Sequence, residues 1–561
     1  MLVSGRSYLG FIAMTTVRRT TRRALVLTAL TGIFAAACGG SGGTASPPAP
    51  PPPPPVAADW NIVVDTADVA APLNPSLIGY YDLSGVLLDF ENVPGLIGAM
   101  SQAGFAAPGG AGADWRIGVG RWEISTEIFG MLTDTSVCIN ATPENQSAFA
   151  TDVELLASRD WFTYTDGMPV GGADIVDSRF ALDYVRSVID NAEAFGATPY
   201  LSIDLMPRAL SINQTPNRLD CSASFTNSVS NNEPADPAVF AQAAAGLVQR
   251  VVEGTGTGTG DERPRPVQYW EVWNEPEIAT FWEPTLVADP DSFFDMAIAT
   301  LVELDAYRSA TADTNGQAIR IGLGSFVFAD TAVATIQSFD PVNIPMDFIS
   351  FHGYNDDPLV LVDAIGRVAS ARDNSTNYQD IELVFAEWGP DLATRAGDQQ
   401  YAATMDPALH AATVVALGAS LGLDRSHNAI FYDFFPAVAL GLIDNAGTPR
   451  PLYRAYELMA KLVTDSAERL TVTGLSDGRL DAGMGAVLVA QDSQSGVVRA
   501  LLVNRNTDAR AVKITLDGVD ATPAQLFVFD ASANPADSLP TVQAPGATFT
   551  LPARSVAVAE F

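Results

Sequence analysis

Cysteine and histidine are both scarce. The 561-residue chain has three of each. His352, His410 and His427 lack the close ligand spacing to any cysteine that a structural zinc site needs. No metal and no other cofactor is therefore implied. Positive charge is scarce as well: 31 Lys and Arg face 65 Asp and Glu, a formal net charge of −34. Such a surface repels phosphate backbones, which excludes nucleic acid as an expected partner and favours a neutral or weakly charged substrate. Long apolar runs are missing too. The most prominent one, Ala24 to Ala37, is about 14 residues long, short of the roughly 20 that span a bilayer. Hydrophobic residues still make up 47% of the chain, ample for a sizeable core. The length suits one large barrel with a smaller partner domain.

The first apolar run follows Arg18, Arg19, Arg22 and Arg23 and ends in Ala35-Ala36-Ala37-Cys38. A basic stretch, a short apolar stretch and small residues before a cysteine form an export signal. This one resembles a bacterial lipobox, in which Cys38 is lipidated. Residues 1–38 are then expected to be a lipoprotein signal peptide, and 39–58, rich in Gly, Ser and Pro, a tether. The expected location is the bacterial cell envelope, at the periplasmic face or the cell surface. Cys138 and Cys221 remain; they either pair as a disulfide or stay as free thiols.

From about residue 73 the chain alternates short apolar runs with helical stretches. The candidate strands are 76–81, 115–120, 199–205, 268–272, 320–325, 347–352, 383–387 and 428–432. Asp236-Pro237 reads as a helix N-cap followed by proline at the first helical position. Asp406-Pro407 opens another helix, and Leu452, Tyr456, Met459 and Val463 mark one face of a third. Eight strands alternating with helices over nearly 400 residues predict an α/β fold, a (β/α)8 barrel covering 59–465. After about Thr464 the runs shorten and helical periodicity disappears, which predicts a C-terminal antiparallel β-sandwich over 466–561. Residues 59–72 could add a strand to it.

Two strand ends carry the chemistry. Gln268-Tyr-Trp-Glu-Val-Trp-Asn-Glu-Pro-Glu277 is an aromatic strand that must stop at Pro276, which cannot donate to a sheet ladder. That leaves Glu275 on its C-terminal lip beside Asn274. An amide to bond a hydroxyl, indoles to stack on a ring and a carboxyl to carry a proton suit chemistry on a sugar. Leu383-Val-Phe-Ala-Glu-Trp-Gly-Pro390 repeats the pattern with Glu387. The 112 residues between the two acids correspond to about 37 per βα unit if three units intervene. Glu275 would then close the fourth strand and Glu387 the seventh, facing one another across the barrel mouth.

These stretches resemble clan A glycoside hydrolases, closest to family 39, which includes β-xylosidases. Tyr269-Trp-Glu-Val-Trp-Asn-Glu-Pro-Glu-Ile278 is similar to the family's acid/base segment, Asp347-Phe-Ile-Ser-Phe-His-Gly-Tyr354 to its sixth strand, and Phe385-Ala-Glu-Trp-Gly389 to its nucleophile strand. Leu551-Pro-Ala-Arg-Ser-Val556 is similar to a strand that closes the family's sandwich. The resemblance implies a retaining β-glycosidase in which Glu387 is the nucleophile and Glu275 the acid/base. It implies that Asn274 bonds the sugar 2-hydroxyl, that Tyr354 donates to Glu387, and that His352 fixes Glu275 or a hydroxyl. It also implies an arginine supporting the nucleophile, Arg116 or its neighbour Arg121. Trp122, Trp273, Trp282, Trp388 and Tyr432 are each either a ring-stacking wall or a core-packing residue. An endo-acting hydrolase of an exopolysaccharide and a non-catalytic carbohydrate-binding lipoprotein are the alternatives.

Overall fold

In a computed structural model of the protein, the alternating pattern resolves into a closed ring of eight parallel strands. The structure describes residues 57–81, 114–118, 161–162, 170–176, 180, 182–194, 197–204, 206–207, 209–212, 232–254, 263–279, 281–315, 319–430, 433, 439–444, 446–542 and 546–561. Strand β1 (Trp60–Pro72) comes first in the chain and lies outside the ring. The ring is β2 (Gly79–Tyr81), β3 (Asp114–Gly118), β4 (Thr198–Ile203), β5 (Tyr269–Val272), β6 (Arg320–Phe326), β7 (Phe348–Tyr354), β8 (Glu382–Gly389) and β9 (Arg425–Ala429). Each strand bonds the next in parallel, and Tyr80 opposite Asn428 joins first to last.

The helices packed around the ring are α1 (Asp183–Ala194), α2 (Pro237–Val252), α3 (Pro290–Asn315), α4 (Ala329–Phe339), α5 (Pro358–Asp373), α6 (Asp406–Ser420) and α7 (Pro451–Leu462). Helix α2 starts where local chemistry says it should. The Asp236 carboxylate accepts the amides of Ala238 and Val239 at 2.9 and 3.4 Å, and Pro237 occupies a position whose N–H would have had no partner. Helix α6 begins one residue earlier than its sequence suggests, at Asp406 itself.

Alternation along β5 assigns its residues to two cores. Trp270 and Val272 join the core between strands and helices, while Tyr269 lies inside the ring with Tyr200, Phe348, Val384 and Ala386. The interior is filled rather than hollow. Tyr200 stacks on Tyr269 with centroids 5.6 Å apart and donates to the Glu271 carboxylate at 3.0 Å. Near the strands' N-terminal ends the Tyr269 hydroxyl meets the Glu382 carboxylate. Arg425 lies 3.6 Å over the Tyr269 ring and bonds Glu382 at 2.7 Å. This plug fills the barrel at the strands' N-terminal ends. The last strand runs over 425–429 instead of the expected 428–432. Its Arg425 and His427 meet the interior rings of Tyr269 and Tyr200, while Ser426 and Asn428, on the opposite face, donate to Leu77 O and Trp388 O, so the strand lacks the apolar signature used to find it.

The C-terminal strands are β10 (Ala467–Val472), β11 (Arg479–Leu480), β12 (Gly485–Asp492), β13 (Val498–Asn504), β14 (Arg510–Leu516), β15 (Val519–Ala521), β16 (Gln525–Asp530), β17 (Thr541–Val542), β18 (Thr548–Leu551) and β19 (Ser555–Glu560). With β1 they make one continuously bonded, eleven-stranded sheet, antiparallel except where β1 meets β14. The separation into two facing sheets that a sandwich implies is not present in this bonding. Val487, Val489, Ala500 and Leu502 bury into a core of the sheet's own; their neighbours Leu488, Leu501 and Val503 join the barrel core that includes α6 and α7. A period of two thus serves both sides.

The floor plug gives a stability test. Replacing Arg425 by Met leaves Glu382 half-compensated in a largely buried place and should cost roughly 2–3 kcal/mol in urea unfolding followed by tryptophan fluorescence. Arg367→Met, which breaks an exposed pair with Asp330, should change stability by less than about 0.5 kcal/mol.

Candidate active site

The rim at the C-terminal ends of the strands brings together three side chains from β5, β7 and β8. Beyond Val272 the backbone leaves extended geometry. Trp273 and Glu275 take positive φ values of 72° and 46°, unusual for residues with a side chain. Neighbouring strands pin both. The Trp273 N–H donates to Ile203 O at 3.0 Å, Ser202 Oγ donates to Trp273 O at 3.2 Å, and the Glu275 N–H donates to Ser325 O at 3.0 Å. Ser325 is itself at φ 46°, and its N–H donates to Ser350 Oγ at 2.7 Å. Gly324 must be glycine: at φ 144° a Cβ would lie 2.2 Å from Ser350 O.

Ser350 and His352 are two apart on β7 and so share a face. One holds the backbone that carries Glu275; the other meets its carboxylate, with His352 Nδ1 2.9 Å from Glu275 Oε1. The same nitrogen is 3.8 Å from Glu387 Oε2. The pairing of β7 with β8 slips by one residue after Phe351 and Phe385, so that His352 lies opposite Glu387. A bulge of this kind re-aims a side chain. The Tyr354 hydroxyl donates a short hydrogen bond to Glu387 Oε1. Burial, followed by the charge of Glu387, raises the Tyr354 pKa well above its ordinary value, so the phenol keeps the proton it donates.

One oxygen from each glutamate and a nitrogen of His352 all lie within 4.8 Å of one another. His352 and Glu387 are buried, and the Glu275 side chain is 13% exposed. Among the described residues this trio is the one grouping of metal-ligand type. The hydrogen-bond distance from Nδ1 to Glu275 equally suits a shared proton. Chemically, two carboxylates this close cannot both ionise freely, so the site can hold one proton and offer one nucleophilic oxygen.

Asn274 is buried beside Glu275. Arg116 is placed by its backbone alone, on β3 opposite Tyr81. Arg121, Trp122, Tyr432, Cys38, Cys138 and Cys221 lie outside the described residues. The expectation that Trp273, Trp282 and Trp388 form sugar-stacking walls is corrected by their burial: each is at most 1% exposed. Trp273 and Trp282 pack edge to face at 4.9 Å, and Trp388 stacks on Phe385 at 5.7 Å, so none offers a free ring face. His410, to which the sequence assigns no role, stacks behind Trp388 at 6.2 Å, and its Nε2 is 2.8 Å from Asn355 O. Its position inside the Pro407–Val415 apolar face of α6 was the available signal. Ser350 carried none.

No family model matches the chain. A β-xylosidase of Caldicellulosiruptor saccharolyticus is 22% identical over 315 residues, 52% of this chain and 58% of the relative, so the chain spans little more than half of that protein's length. A monomeric β-xylosidase from Caulobacter crescentus CB15 superposes with a TM-score of 0.57 at 14% identity, covering 89% of this chain and 99% of that one. The family 39 glycoside hydrolase of Xanthomonas axonopodis pv. citri gives 0.55 at 16%, covering 90% and 97%. An α-L-arabinofuranosidase from Thermotoga maritima gives 0.54 at 15%, covering 90% and 99%. The chain thus resembles clan A glycoside hydrolases, family 39 among them, and shares their fold.

His410 yields a pH prediction. Burial lowers its pKa to about 4, so the folded protein keeps the ring neutral. The unfolded chain takes up a proton as pH falls through about 6.5 while the folded protein does not. The stabilisation from this group is therefore complete above pH 6.5 and is lost as pH falls toward 4, by about 3 kcal/mol in total. His410→Gln, whose amide can still donate to Asn355, should lose less stability between pH 7 and pH 4 than the parent in urea unfolding.

Proposed function

We propose that the protein is a retaining β-glycoside hydrolase acting on oligo- or polysaccharides. The observation that carries this reading is the pair of carboxylates, from strands β5 and β8, with oxygens within 4.8 Å at the open end of a plugged barrel. Retaining enzymes keep their carboxyl groups about 5–5.5 Å apart for direct attack, whereas inverting ones leave about 6.5–9.5 Å for an interposed water. A protein that only bound sugar would have no use for two acids at this distance.

In the first step a Glu387 oxygen attacks the anomeric carbon, the glycosidic C–O bond breaks, and Glu275 transfers its proton to the leaving oxygen. In the second, Glu275 takes a proton from water, whose oxygen displaces Glu387 and restores both acids. Tyr354 holds Glu387 ionised and in line before attack. His352, on the other flank, orients Glu275 and follows its change of charge. Asn274 bonds the 2-hydroxyl, an interaction that strengthens as positive charge develops at the anomeric carbon. A β-xyloside is the favoured substrate, since β-xylosidase is the name borne by the curated relative and by a structural neighbour.

Export and anchoring through lipidated Cys38 complete the proposal, with the barrel presented to saccharides at the cell envelope. Among the described residues no helix is long and apolar enough to cross a membrane.

Glu387→Gln should abolish turnover of aryl β-glycosides with sugar affinity largely intact. Glu275→Gln should slow hydrolysis of a disaccharide by about 10²–10⁴-fold, and hydrolysis of aryl glycosides with acidic phenols much less. Proton NMR of the first-formed sugar should show the β-anomer; an α-anomer as initial product would refute the mechanism.

A further inference from the structure

Among the residues whose burial is described, Phe328 is the one Phe, Tyr or Trp that is exposed, at 58%. Its location compounds the oddity. It occupies the N-cap position of α4, where Ser, Thr, Asp or Asn would bond a free amide, and it makes no side-chain cap. Two local rules are broken at one residue: an apolar ring stands in water and a helix end goes without a side-chain cap. Natural sequences tend to break such rules where function requires it.

The position is tied to Glu275 from two directions. Ser325, three residues earlier, accepts the Glu275 N–H at 3.0 Å. Val327, the adjacent residue, donates its N–H to Glu277 Oε2 at 3.2 Å, which latches the β6 lip to the β5 lip. Burial raises the Glu277 pKa against the opposing effect of hydrogen bonds from the Thr331 side chain and the Val327 amide, so the latch is fixed on both sides of Phe328. The backbone that presents Phe328 is thereby held beside the acid/base, just past the end of β6, while Glu387 stands on β8.

A general acid lies on the leaving-group side of the bond it cleaves. The β6 lip next to Glu275 therefore borders the departing half of the substrate. A sugar presents a face of C–H groups that an exposed aromatic ring covers well, and three of the candidate walls, Trp273, Trp282 and Trp388, are buried. Resting on the glycosidase reading above, we infer that Phe328 is the platform for the leaving-group sugar and determines selectivity for what is attached to the anomeric oxygen.

The test uses a leaving group with no surface. For a sugar that the parent enzyme hydrolyses, the β-glycosyl fluoride and the matching disaccharide are compared in the parent, Phe328→Ala and Phe328→Tyr. The alanine variant should lose about tenfold in kcat/KM on the disaccharide, a loss of 1.4 kcal/mol. It should keep the parent's rate on the fluoride, and the tyrosine variant should match the parent on both. Equal losses on the two substrates, or none on either, would overturn the inference while leaving the two-glutamate mechanism standing. A parent enzyme inactive on every fluoride and disaccharide would overturn both.

Discussion

Two carboxylates with oxygens within 4.8 Å, both ionised, would repel by about 3 kcal/mol at an effective dielectric near 20. The arrangement of the rim follows from that repulsion. An imidazole nitrogen stands 2.9 Å from one acid and 3.8 Å from the other, and a phenol donates to the far oxygen of Glu387. The two acids thus have unlike surroundings: Glu387 receives a phenolic proton donor that burial keeps protonated, while Glu275 is closer to the imidazole and more open to solvent. Unlike surroundings separate two titrations, which a division into proton donor and nucleophile requires.

Holding the acids close also demands a particular backbone. Glu275 and Ser325 both adopt left-handed geometry, which costs of order 1–3 kcal/mol for each residue with a side chain. The fold offsets this through one relay: Glu275 N–H to Ser325 O, Ser325 N–H to Ser350 Oγ, and back along β7 to His352, which meets the Glu275 carboxylate. Two residues of β7 thus serve a single glutamate: Ser350 supports its backbone by way of Ser325 on the intervening β6, and His352 meets its carboxylate directly. The β8 bulge does the corresponding work for Glu387.

Much of this was legible in the sequence because it rests on short-range rules. Pro276 ending a strand, Asp236-Pro237 opening a helix, and an acid after Leu-Val-Phe-Ala are each decided within a few residues. What escaped depends on partners distant in the chain. No local pattern distinguishes a tryptophan facing a ligand from one facing a helix, so only the fold shows that Trp273, Trp282 and Trp388 belong to the core. Strand β10, Ala-Glu-Arg-Leu-Thr-Val, looks half polar because only one of its faces is buried. Strand β9 lies earlier than expected because its Arg, Ser, His and Asn are buried on both faces, and an apolar criterion rejects them. The long β1 pairs with residues some four hundred positions away, a register that only the folded sheet sets.

The buried aromatics explain how the spacing is kept. Behind Glu275, Trp273 packs on Trp282, Trp282 on Phe293 of α3, and Phe293 toward Phe326 at the end of β6, with centroids 4.9, 5.5 and 6.5 Å apart. Behind Glu387, Phe385 stacks on Trp388 and Trp388 on His410 of α6. Each acid thus has an aromatic wall of its own, rooted in a different helix. Side chains with few rotatable bonds, packed edge to face or in parallel, leave little room for the lips to shift, and a misplacement of about 1 Å can cost a hundredfold in rate. Helix α6 in turn packs against the C-terminal sheet. The wall behind Glu387 is therefore continuous with that second β-structure, which makes the sheet a buttress for one of the two acids as well as an appendage to the barrel.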